Sequence, residues 1–149
     1  MRKITEDAAR ALRTGKRFKR ANTEVDNGMM FLHGNLIAEL DGHHLRLRMC
    51  GWGTPTTRER LNGILQMLGT NAHIYQEKFE QKLWWNGPGT GHYPLDVRKW
   101  MHFLIMDPRV SHDPLEWHPP RYFGQDEGAE ERLKDRMSYI SGLAVKGDH

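Results

Sequence analysis

The chain has 149 residues, with 22 Lys+Arg against 19 Asp+Glu and a hydrophobic share of 38%. That length suits one domain, and the low apolar share suits a modest core under a large polar surface. No apolar run is long enough to span a bilayer, the charged opening Met1-Arg2-Lys3 is unlike a secretory signal, and one cysteine, Cys50, excludes an internal disulfide framework and a cysteine zinc finger.

Charge is unevenly placed. The first 20 residues carry eight basic and two acidic side chains, and Arg10, Arg13, Lys16, Arg17, Lys19 and Arg20 follow one another almost without interruption. Such a footprint is expected of a polyanion binder. In the same stretch Thr5 is placed to cap a helix, Ile4, Ala8, Ala11 and Leu12 form its apolar stripe, and Gly15 stops it.

A three-stranded antiparallel meander is expected next. Asn27-Gly28 and Asp41-Gly42 have the composition of two-residue hairpin turns. The first turn sets Val25 opposite Met30 and Asn22 beside His33. The second sets Leu40 opposite His43, Ala38 opposite Leu45, Leu36 opposite Leu47 and His33 opposite Cys50. One face is then apolar, with Leu36, Ala38, Leu45 and Leu47, and the other carries Asn35, Arg46 and Arg48. Extending the first register sets Arg20 opposite Asn35 and thus in a row with Arg48. Arginine, asparagine and aromatic side chains on an open sheet suit stacking on bases and gripping phosphates.

A second helix follows. Thr56 and Glu59 fit a capping box behind Pro55, and Leu61, Ile64, Leu65 and Leu68 make a core-facing stripe that ends at Gly69. Thr56, Thr57, Arg58 and Arg60 crowd its N-terminus, where free backbone N–H groups and the helix dipole favour a phosphate.

The residues that carry a family resemblance are now in view: Leu32-His33-Gly34-Asn35-Leu36-Ile37-Ala38, the pair Gly51-Trp52, and Thr54-Pro55-Thr56-Thr57-Arg58-Glu59-Arg60-Leu61-Asn62-Gly63. With the opening Met-Arg-Lys-Ile-Thr-Glu and Asn22-Thr23, this pattern resembles a family of small uncharacterised bacteriophage proteins over roughly residues 1–90. The resemblance implies a phage origin and brings no catalytic residues. The order helix, three strands, helix is also similar to the double-stranded-RNA-binding domain, in topology alone.

Beyond residue 70 the pattern predicts short strands over 73–86, a boundary at Gly87–Gly91, a helix over 94–106 begun at Pro94, a Pro-rich loop over 107–124 and a last helix over 126–144 with Leu133, Met137 and Ile140 on its apolar face. The expected fold class is α+β: residues 1–90 form a core domain and 91–149 a helical C-terminal extension packed on it.

No phosphate-binding loop or nucleophile elbow is present. His112, Asp113, Glu116 and His118 are candidate metal ligands, without the spacing that a helix or strand would impose. Cys50 beside His33 is a candidate thiol–imidazole pair. The expectation is a small non-enzymatic phage protein in the host cytoplasm, with no cofactor and no membrane partner. It would bind nucleic acid through Arg10–Arg20, Asn35, Arg46, Arg48 and the start of the second helix. The alternatives are a phage factor that binds a host protein through Trp84, Trp85, Trp100 and Trp117, and a metal-dependent nuclease built on His112.

Overall fold

The structure is a computed structural model and describes residues 1–51, 53–87, 89–105, 122–125 and 128–135. In chain order the elements are α1 (Lys3–Thr14), β1 (Phe18–Arg20), β2 (Thr23–Asp26), β3 (Met29–Leu32), β4 (Asn35–Asp41), β5 (His44–Leu47), α2 (Pro55–Met67), β6 (His73–Glu77), β7 (Glu80–Trp85), β8 (Gly91–Pro94), β9 (Met101–Leu104), β10 (Tyr122–Gly124) and a helical segment over 129–135, α3. The fold class is α+β, as the sequence predicts.

Hairpin turns dictate the first sheet. Asn27 and Gly28 take φ 50° and 76°, and β2 pairs with β3 in the expected register, Val25 opposite Met30 and Thr23 opposite Leu32. The expected meander differs at three turns. Ala21 at φ 52° turns the chain back early, so β1 is a strand of its own and Arg20 faces Thr23 rather than Asn35. His33 and Gly34, at φ 51° and 79°, form a further turn that splits the long central strand into β3 and β4. The last turn is Gly42-His43 rather than Asp41-Gly42: Gly42 leads at φ 57°, and His43 is fixed at both backbone and ring, its Nδ1 donating to Ile105 O at 2.9 Å and its carbonyl accepting from Ile105 N. Leu40 therefore faces Leu45 and Ala38 faces Leu47, a two-residue shift that leaves the faces unchanged.

A bulge at Ile37 does change them. Met30 faces Ala38 while Phe31 faces Leu36, so Ile37 is the extra residue and it turns inward beside Ala38. Leu36 is carried to the opposite face and is only half-buried, and Asn35 falls opposite Leu32. Ala38, Leu45 and Leu47 are buried as expected.

The complete sheet has seven strands in the order β1-β2-β3-β4-β5-β9-β10, and a second sheet has the order β6-β7-β8. With five strands between α1 and α2, the topology departs from the helix, three-strand, helix order. The segment expected as a helix over 94–106 is instead the end of β8, a connecting turn and β9. Met101, His102, Phe103 and Leu104 are all buried because β9 lies between β5 and β10 with packing on both faces. An apolar run covered on both sides has no strand alternation to read. The 73–86 segment forms the expected short strands, paired as a hairpin, and the Gly87–Gly91 stretch falls between neighbouring strands of one sheet.

α1 packs on α2 and on β1–β3, and α2 packs on β6. Ala8, Ala9, Ala11 and Leu12 of α1 and Leu61, Ile64 and Leu65 of α2 enter the core, while Leu68 is half-buried at the helix end. The helices approach closely at Gly63, where a Cβ would collide with Thr5 Cγ2. Thr5 is inside α1 rather than its cap, and Arg2 is the N-cap residue. α2 starts two residues ahead of the expected box: Thr54 is the cap in place of Thr56, accepting from Thr57 N, and Pro55 follows it. Of the last expected helix, 129–135 is helical with Leu133 buried; Met137 and Ile140 lie outside the described residues.

Candidate nucleic-acid interface

The expected binding residues fall in three separate places. Arg10, Arg13, Lys16, Arg17, Lys19 and Arg20 belong to α1, the following turn and β1, which is an edge strand of the large sheet. Asp7 collects the charges nearest it: Lys3 at 3.1 Å, Arg20 at 3.1 Å and Arg10 at 3.8 Å. The hydrogen bond from Lys3, then that from Arg20, holds the Asp7 carboxyl below its ordinary pKa. Arg10 also meets Glu6 at 2.9 Å and Arg17 meets Asp26 at 3.6 Å. Among the described residues no carboxylate pairs with Arg13, Lys16 or Lys19, and both lysines are exposed.

Arg46 and Arg48 share a face of β5 and its continuation, but their charges are already engaged. Arg46 meets Glu39 across the strand pair at 3.0 Å. Both guanidinium groups lie over the Trp100 ring, 4.4 and 4.3 Å from its centroid, and Arg48 Nε donates to Leu36 O at 2.8 Å. The indole quadrupole and Glu39 answer the repulsion between the two arginines, so no row of Arg20, Asn35 and Arg48 forms and no polyanion is needed to hold the face together.

The start of α2 is the third place. Arg60, expected as a phosphate ligand, is 1% exposed. Its Nε donates to Thr23 Oγ1 at 3.1 Å and its terminal nitrogen to Thr5 Oγ1 at 2.5 Å and Glu59 Oε1 at 3.0 Å. It joins α1, α2 and β2 from inside, out of reach of an external phosphate. Arg58 donates to Gly53 O, Gln76 Oε1 and Gln81 Oε1, tying α2 to the β6–β7 hairpin. Thr57 is buried, while Thr56 lines a cavity of about 310 Å³ with Asn35, His33 and Cys50. Cys50 donates to Leu36 O at 3.2 Å, and His33 meets Asn22 at 3.4 Å, so no thiol–imidazole hydrogen bond joins the pair.

Sequence reasoning missed two clusters. On the outer face of the small sheet, His73, Trp84 and His92 stand in one row across three strands. Trp84 and His92 are 4.7 Å apart at their centroids, and Tyr75 OH meets His92 Nδ1 at 2.6 Å. Pairing partners brought by turns, not by spacing, make this platform. Trp85, one residue on, is buried against Phe103 and Phe123, which removes it from the exposed tryptophans. The metal candidates His112, Asp113, Glu116 and His118, like Trp52 and Trp117, lie outside the described residues.

The second missed cluster is His44 with His102, where Nε2 and Nδ1 are 3.1 Å apart. Desolvation, the largest cause for each, lowers both pKa values. The neighbouring His102 and Arg46 lower His44 further, whereas for His102 the Glu130 carboxylate works against the shift. In the unfolded chain both imidazoles take up a proton near pH 6.5, and in the fold both resist it. The pair's contribution is therefore intact above about pH 6.5 and lost as pH falls through the folded values. Urea midpoints measured from pH 8 to pH 5 are expected to fall below about pH 6.5 in the wild type, and less so in His102→Gln.

An α+β fold with a basic helix-and-edge-strand surface defines the class. The chain belongs to the Kyanoviridae Gp96 family of bacteriophage proteins, whose family model matches residues 1–95. No curated protein and no solved structure matches it. Among the described residues no helix is long and apolar enough to cross a membrane.

Proposed function

We propose that this phage protein binds nucleic acid without enzymatic action, and that the contact surface is the α1–β1 edge. The observation that carries the reading is the cationic set Arg13, Lys16 and Lys19, which meets no carboxylate among the described residues and of which both lysines are exposed, set among the ion-paired Arg10, Arg17 and Arg20. Cations at the C-terminal end of a helix are also favoured by its dipole, and lysine on an edge strand deters sheet-to-sheet aggregation. Those local roles need no surplus of this size. The His73–Trp84–His92 row offers ring faces on which unpaired bases would stack, which points to a single strand.

Arg13, Lys16 and Lys19 replaced together by Ala are expected to weaken binding to a single-stranded oligonucleotide and to flatten its salt dependence by up to about three phosphate contacts. Fluorescence titrations at several salt concentrations, on single-stranded and duplex DNA and RNA, give both quantities. Arg46→Ala is the control, with an unchanged salt slope. Equal slopes for the wild type and the triple variant would remove the edge as the interface. A wild type that binds no nucleic acid would leave the host-protein reading in its place.

A further inference from the structure

The β6–β7 hairpin closes on Lys78-Phe79, with φ 50° and 66°. Three other two-residue turns put glycine in the left-handed region, Gly28, Gly34 and Gly42, and the non-glycine residues that share it in the turns, Ala21, Asn27 and His33, carry no exposed apolar ring. A phenylalanine there is strained, because its Cβ crowds the neighbouring carbonyl. It gains nothing in packing from the position, since Phe79 is 93% exposed. A residue that costs both backbone strain and hydration of a whole ring is explained by a contact outside the folded chain.

Phe79 stands at the rim of a groove of about 660 Å³ on the same surface, with Pro94, Leu95 and Val97 as its apolar lining and Glu80, Asp96 and Arg98 as its charges. The groove is large enough to take a ring from outside. Knob and groove on one patch are what a two-fold, self-complementary interface requires. The charges agree. Among the described residues Glu80 has no ion-pair partner, and the Arg98 side chain, 81% exposed, pairs with Asp96 alone, at 3.5 Å. With Lys78, the patch carries two cations and two anions, so it neither repels its own copy nor attracts a polyanion or an anionic membrane.

We infer that the hairpin tip is a homodimer contact: Phe79 of each copy enters the groove of the other, and Glu80 of each faces Arg98 of the other. This interface is independent of the α1–β1 edge and stands or falls without it. The test is sedimentation velocity on the full chain from about 1 μM to about 1 mM, the range proper to a small interface. The wild type is expected to pass from monomer to dimer. Phe79→Asn should remain monomeric where the wild type is dimeric, and its monomer should melt about 2–4 °C higher, because asparagine tolerates the left-handed turn. Glu80→Arg should weaken the dimer and Glu80→Arg with Arg98→Glu should restore it. A wild type that stays monomeric throughout overturns the inference, including one that is monomeric yet sediments with phosphatidylcholine vesicles, which would assign the tip to lipid. Open-ended assembly, or a Phe79→Asn protein that associates like the wild type, overturns it as well.

Discussion

Arg60→Met is expected to lower stability by about 3–5 kcal/mol, among the largest losses available to a single substitution in this chain. The guanidinium is buried where α1, α2 and β2 meet, and it serves Thr5, Thr23 and Glu59 at once. A methionine fills much of the volume but leaves the Glu59 carboxylate and the Thr23 hydroxyl without that donor. Arg60→Lys should recover part of the loss, since one ammonium on a flexible stem cannot reproduce the planar fork. Urea denaturation of the three proteins measures the difference. If Arg60 instead served an external ligand, Arg60→Met would unfold like the wild type.

The second large effect belongs to β9. Phe103→Ala is expected to cost about 3–5 kcal/mol. Phe103 is fully buried opposite Leu45, and its ring lies 5.1 Å from Phe123 and 5.9 Å from Trp85 at the centroids. The ring thus joins a strand of the large sheet to Trp85 of the small one, and its loss leaves a cavity between them. Denaturant titration with tryptophan fluorescence reads the midpoint. A midpoint within experimental error of the wild type would mean that β9 is peripheral.

How much of this was legible depended on distance along the chain. Asn27-Gly28 announces its own turn, and Gly15 ends α1 where expected, because both signals act within a few residues. His33-Gly34 is the same device with histidine forced to φ 51°, and its cost conceals it from composition alone. Ile37 cannot be recognised as a bulge without knowing that Phe31 faces Leu36. β9 reads as a helix because burial on both faces erases alternation. The binding residues divide in the same way. Arg60 and Arg58 look like solvated cations at a helix start, and what withdraws them lies far off in the sequence: Thr5 and Thr23 for the first, Gln76 and Gln81 for the second. Arg46 and Arg48 lose their freedom to Trp100, whose place beside them is set by the β5–β9 pairing.

That pairing also orders events in time. Each strand from β2 to β5 meets its predecessor as soon as a two-residue turn has formed, but Leu47 pairs with Met101, which follows α2 and the whole second sheet. At about 5–20 residues per second, β5 is an open edge for roughly 3–10 s of synthesis. The backbone N–H and C=O groups of β5 that later pair with β9 stand without a strand partner during that interval. The family match ends at residue 95, just short of β9. The strand that covers the β5 edge is therefore made long after β5 itself, and it lies in the part of the chain that the family pattern does not reach.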